Sequence, residues 1–318
     1  MIARTQKIIS ASLVAIVVMG SFYALVQILN LNQTALFIKT AIVVWAYIWF
    51  KIAFLYDLHF KQRNVVHQSR EEHSFLPAGM YKILRIVASA FFERFKHLII
   101  WKYYSQALNY LLLPGFLFWG TVMVLYAHFG QVRTQFTVAI FSTIALTVSF
   151  YYIKEAFARK TERVDKDIFI ALSVVKIYAI TVVFGGTMAL MRSFCLDPQL
   201  FLITIFCVSF LFVYQALYQH RMLNIRNTGI ALIMSACCGI VGYCMYIYWG
   251  YNFFTAAIFF GAIYNFLWGV FHYYLDQSLN RKVFLEILLF CFIIAAMVFS
   301  ATNFKARLLD DCPATWQL

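Results

Sequence analysis

Charge is scarce in this chain, and negative charge scarcer still. Of its 318 residues 12% are charged, with 13 Asp and Glu against 26 Lys and Arg, while 63% are hydrophobic. A soluble domain carries about 25% charged and about 45–50% apolar residues, so this balance excludes an ordinary soluble protein. Strict apolar–polar alternation is also missing, which excludes a transmembrane β-barrel. Backbone groups in lipid must be satisfied internally, and helices then remain as the spanning element. Nucleotide-binding signatures (GxxxxGK[ST], GxGxxG) are absent, as are the GxSxG elbow and the HExxH helix. There is no CxxC and no Cys/His spacing that suits zinc.

Long apolar runs fill the space those absences leave. Nine are long enough to cross a hydrocarbon core, which takes roughly 20 residues per helix. They are Ile8–Leu29, Ala35–Leu55, Leu108–Phe129, Phe136–Ile153, Ile168–Met191, Leu200–Tyr218, Gly229–Trp249, Phe253–Tyr274 and Val283–Ala301. The fold class expected is therefore all-α: a polytopic bundle of about nine spans forming one membrane domain over residues 1–318. The short Asn-containing link Asn30–Thr34 suits a tight helical hairpin between the first two. The first run lacks a small-residue cleavage site and reads as a retained anchor rather than a signal peptide.

The cations fix an orientation. Nineteen Lys and Arg fall in alternate gaps: Arg4 and Lys7, eight between Asp57 and Tyr103, five in Lys154–Asp167, Arg221 and Arg226, then Arg281 and Lys282. Four fall in the opposite gaps (Arg133, Arg192, Lys305, Arg307) and three within runs (Lys39, Lys51, Lys176). By the positive-inside rule the N-terminus is cytoplasmic and the short tail 304–318 is outside. Compact loops without sorting signals point to a bacterial inner (plasma) membrane. The net charge of +13 then belongs to topology and to anionic lipid head groups, not to nucleic acid.

The long polar stretch is the cytoplasmic loop 57–103. Its first part ends in the helix-stopping Pro77-Ala78-Gly79. Its second part is amphipathic over 81–98. Lys82, Arg85, Ser89, Glu93 and Lys96 form one stripe, with Ile83, Leu84, Val87, Phe91, Phe95 and Leu98 opposite. A basic helix of that kind lies in the plane of the membrane surface. Within the spans, Pro114-Gly115 predicts a bend, and Gly185-Gly186, Gly239, Gly242, Ala257 and Gly261 predict close helix contacts.

Polar residues in spans are costly and mark candidate sites. Asn265, Trp268, His272 and Asp276 are spaced 3, 4 and 4, so they share one face of the eighth span. A carboxylate at i+4 from an imidazole fixes its tautomer and raises its basicity. Six of seven histidines lie on the cytoplasmic side, with His128 the exception. His272, Asp276 and His220 are the candidate catalytic residues. With His59 they are candidate ligands for a divalent metal, although the HxxxH and HxxHH boxes of membrane hydroxylases and desaturases are absent. Equally, His272 and Asp276 mark the water interface, beside the aromatic-belt residues Tyr273 and Tyr274. Lys176 lies about 12 Å into the fifth span at 1.5 Å per residue, and an ion pair with Glu286 of the ninth is expected. Cys195 and Cys312 both fall outside and are placed to form a disulfide if that side is oxidising.

Three functional classes fit. An accessory or structural subunit of a membrane complex suits the aromatic-rich spans and the lack of a strong motif. An enzyme acting on a lipid or lipid-linked substrate at the cytoplasmic face would use the histidine cluster. A transporter would need a polar path, for which Lys176 and Asn265 are the deep candidates.

Overall fold

The computed structural model describes residues 2–50, 101–158, 166–220, 222–249 and 252–302. The amphipathic stretch 81–98, His59, Cys312 and the tail 304–318 lie outside the described residues. Nine helices occur among the described residues, without strands: α1 Ile2–Asn30, α2 Thr34–Phe50, α3 Trp101–Ala127, α4 Val132–Ala158, α5 Lys166–Ser193, α6 Pro198–Gln219, α7 Ile225–Tyr248, α8 Phe253–Leu275 and α9 Arg281–Ala301. Each expected span overlaps one of them, although Ala35–Leu55 runs past Phe50 and so beyond the described residues. Seven are long and apolar enough to cross a membrane; Thr34–Ile48 and Leu111–Ala127 are shorter apolar stretches. The chain is thus an all-helical, multi-pass membrane protein.

By its contacts the chain divides into two units, Met1–Phe37 with Leu113–Leu318, and Ile38–Leu112. The second contains most of α2 and the first turns of α3. The first contains α1, the rest of α3 and all of α4–α9. Within this larger unit the most extensive pairings are α6 with α7, α1 with α4, α5 with α8, and α8 with α9.

Helix starts follow from single residues. Asp197, Asn224, Asn252 and Asn280 each accept a hydrogen bond from a backbone N–H in the first turn that follows, at 2.7, 2.7, 3.2 and 2.8 Å. These N-caps satisfy donors that the helix itself leaves unpaired. Pro198 occupies the first turn of α6, where its missing N–H costs nothing. The link Asn30–Thr34 is a tight hairpin, with Asn32 in the left-handed region at φ 58°.

Small residues and rings set the helix spacing. A methyl on Gly186 would lie 2.7 Å from Met123 Cβ, and one on Gly120 would lie 2.8 Å from Val183 Cγ2, so α3 and α5 cross at near backbone contact. A methyl on Gly261 would collide with Thr181 Oγ1, which sets the α5–α8 approach. Phe184 of α5 stacks on Phe260 of α8 with centroids 4.0 Å apart, and touches Phe201 of α6, itself stacked on Tyr246 of α7. Buried hydroxyls tie the other side. Thr121 donates to Ser142 at 2.7 Å, and Ser142 bonds Tyr178 at 2.9 Å, joining α3, α4 and α5. Asn30 donates to Gln135, whose own amide donates to the Leu125 carbonyl.

One helix departs from this pattern. Only 6% of the α9 span is buried, against 33–67% for the other six long spans. It packs chiefly on α8, with Phe299 also against Trp249 at the end of α7, and Leu285, Leu289, Phe290, Phe292 and Met297 stand exposed along it.

Candidate functional site

The C-terminal ends of α6 and α8 bring together residues from two distant parts of the sequence. His220 caps α6, its backbone N–H bonded to the carbonyls of Ala216 and Tyr218. His272 lies in the last turn of α8, and Asp276 caps that helix. The two imidazoles face each other with centroids 4.5 Å apart. Trp268, one turn before His272, stacks nearly parallel to it at 5.7 Å and lies 6.1 Å from His220. Asp276 Oδ2 is 3.4 Å from His272 Nε2. That carboxylate favours the tautomer with the proton on Nε2. The Nδ1 lone pair is then left buried, and Nδ1 has no hydrogen-bond partner.

Lys176 of α5 completes the cluster. Its side chain is 7% exposed, and its ammonium donates to Gln219 Oε1 at 2.5 Å. The ion pair expected with Glu286 does not form. Glu286 lies on the exposed face of α9, whereas Gln219 ends the helix beside α5. Depth along a span was legible in the sequence; the direction each helix faces was not.

His220 sits just past the α6 span. Burial, then the electrostatic influence of the neighbouring His272 and Lys176, pushes its pKa from 6.5 down to about 4. It is a neutral imidazole at physiological pH. At the rim, Arg226 of α7 donates to the Tyr274 hydroxyl at 3.4 Å.

The proposed metal ligands are brought together only in part. His220, His272 and Asp276 share one corner, and His59 lies outside the described residues. No group of three His, Cys, Asp or Glu side chains suited to a metal ion occurs among the described residues. The physical reason is visible in the contacts. Asp276 takes one nitrogen of His272, and Trp268 covers a face of its ring, so the three do not converge on a common point. What the arrangement offers instead is acid–base and hydrogen-bonding chemistry: a carboxylate-backed imidazole with a buried lone pair, a second imidazole, an ammonium, and an aromatic platform. Gln219 is the member that sequence reasoning missed. Its signal was the amide pair Gln215 and Gln219 at i, i+4 in an otherwise apolar helix.

At the opposite end of the same helices, Arg192 donates to the Tyr246 carbonyl, and its guanidinium lies 5.3 Å from the Tyr246 ring centroid. Tyr246 in turn donates to the Leu196 carbonyl at 3.0 Å. Cys195, at φ 50° in this α5–α6 turn, is disulfide-bonded, while Cys207, Cys237, Cys238, Cys244 and Cys291 are free.

No protein-family model matches the chain, and neither curated proteins nor solved structures show significant similarity to it.

Proposed function

We propose that this chain is a nine-span protein of a bacterial inner membrane, N-terminus cytoplasmic, that acts on a lipid or lipid-linked substrate at its cytoplasmic face. The orientation rests on the 19-to-4 split of Lys and Arg between the two sets of gaps. It puts the C-terminal ends of α6 and α8 at the inner leaflet. The observation that carries the function is the meeting of His220, His272 and Asp276 there, from helices about 50 residues apart in sequence. In this reading His272 is the general base. Asp276 holds the Nε2 proton, and the Nδ1 lone pair takes a proton from a head-group hydroxyl or from water. The neutral His220 supplies a second hydrogen-bonding group.

The test is chemical. Wild type and His272→Ala are reconstituted in nanodiscs of total bacterial polar lipid, and lipids are profiled by mass spectrometry over time. Wild type should convert one lipid class and His272→Ala should not, at equal melting temperature. Identical profiles with and without protein would remove the enzymatic reading.

A second reading, an accessory subunit of a membrane complex, is favoured by α9. That helix is the most apolar of the long spans, nearly unburied by its own chain, and carries the exposed carboxylate of Glu286 within its span. A partner helix with a basic or hydrogen-bonding side chain at that depth would shield it. Photo-crosslinking from Leu289 in native membranes should then give one discrete protein adduct; lipid adducts alone would exclude this role.

A further inference from the structure

Among the described residues, the cluster holds an ammonium without a counterion. Lys176 is almost fully buried, and its one hydrogen bond goes to a neutral amide, Gln219 Oε1. An ammonium has three donors, so two are unmet. The one carboxylate among the cluster's described residues, Asp276, is spent on His272 at 3.4 Å. The other described groups around Lys176 are neutral or cationic: His220 beside it, His272 beyond, and Arg226 at the rim on Tyr274. An unpaired buried charge is costly in a low-dielectric setting, and a bound anion removes that cost.

Position indicates which anion. Gln219 is the last residue of α6, and the Lys176 side chain reaches it there. In the proposed orientation that is the depth of the inner-leaflet head groups. The exposed rings of Tyr273 and Tyr274 and the half-buried Trp268 lie on the adjoining end of α8, suited to the boundary between head group and acyl chain.

We propose that Lys176, held by Gln219 beside His220 and His272, seats the anionic phosphate of the substrate, a phosphate-bearing membrane lipid. This rests on reading the cluster as a substrate site and names the substrate's chemical class. The phosphate takes the free N–H groups of Lys176. The His272 Nδ1 lone pair, which repels a phosphate oxygen, stays available for a neighbouring proton.

The experiment measures lipid retention. Wild type, Lys176→Met, Lys176→Gln and Lys282→Met are placed in phosphatidylcholine nanodiscs doped with phosphatidic acid. Lipids kept after transfer to detergent are counted by native mass spectrometry. Wild type should prefer phosphatidic acid, and the exposed-surface variant Lys282→Met should keep that preference. Lys176→Met should weaken it about tenfold or more, the worth of one charged hydrogen bond. Lys176→Gln, which keeps an amide contact without the charge, should behave like Lys176→Met and guards against a folding artefact. A parallel arm uses inorganic phosphate at millimolar concentration as competitor. Displacement of the lipid by it identifies free phosphate as a competent occupant of the same seat, and no displacement assigns the seat to the lipid form. Equal retention of phosphatidic acid and phosphatidylcholine by wild type, or unchanged preference in both Lys176 variants, overturns the proposal. The two readings fail separately. Unaltered lipid chemistry in His272→Ala sinks the general base and leaves the phosphate seat standing. Lost selectivity in wild type sinks the seat and leaves His272 acting on an uncharged head group.

Discussion

Gln219 decides whether Lys176 is tolerated where it is. Replacing the amide by Leu leaves the ammonium buried with no acceptor, which should cost about 1–3 kcal/mol. Lys176→Met removes the charge and its need for a partner together, and should be neutral or stabilising. Thermal melts in one detergent compare the two, and a Gln219→Leu variant as stable as wild type would show that the contact contributes nothing. His220 gives a pH dependence. Its folded pKa is lowered from 6.5 to about 4 by burial, and further by the electrostatic influence of His272 and Lys176. Between those values the unfolded chain binds the proton and the folded one does not. The stability it contributes is therefore full above about pH 6.5 and is lost as pH falls toward 4. Asp276 faces His272 rather than His220, so it does not reverse the sign. Melting temperatures from pH 7 to 4.5 should fall more steeply for wild type than for His220→Asn; parallel curves would count against a buried neutral imidazole. The i, i+4 pair His272 and Asp276 was legible in the sequence because helical neighbours are fixed by spacing alone. The approach of His220, and the choice of Gln219 over Glu286 as partner of Lys176, depends on how whole helices are rotated, which spacing does not encode.

At the scale of the element, boundaries were readable to within a few residues wherever apolar runs end in Asn, Asp or Pro. The caps Asn224, Asn252 and Asn280 account for that regularity in the second half of the chain. Asn224→Ala should cost about 1 kcal/mol as a lost N-cap, visible as a lower melting temperature. The glycine pattern was equally legible, since small residues in spans exist to let backbones approach. Gly186→Val forces apart the α3–α5 crossing and should destabilise by about 1–3 kcal/mol through overpacking. Gly20, with open space around it, is the control, and equal loss in both variants would deny the crossing its role. Which helix meets which glycine was not legible, because the same small face serves any partner.

For the whole molecule, charge placement predicts the sidedness, and the apolar runs predict the class. A cysteine-accessibility scan in intact cells should label the α5–α6 turn from outside and the turn at Gln277–Asn280 from inside only. The reverse pattern would invert the bundle and move the candidate site to the outer leaflet. Cys195 is oxidised, and the five cysteines Cys207, Cys237, Cys238, Cys244 and Cys291 are not. Peptide mapping without reductant should recover Cys195 linked to Cys312, the seventh cysteine of the sequence, and a free Cys312 thiol would refute that pairing. The α9 helix has a consequence of its own for biogenesis. Its mean hydropathy, 2.7, exceeds the 1.3–2.3 of the other six long spans, while among the described residues it packs chiefly on α8. Such a segment partitions from the translocon into lipid unaided. Ribosomal synthesis halted at Asn280 should accordingly leave the packing of α4–α8 already assembled.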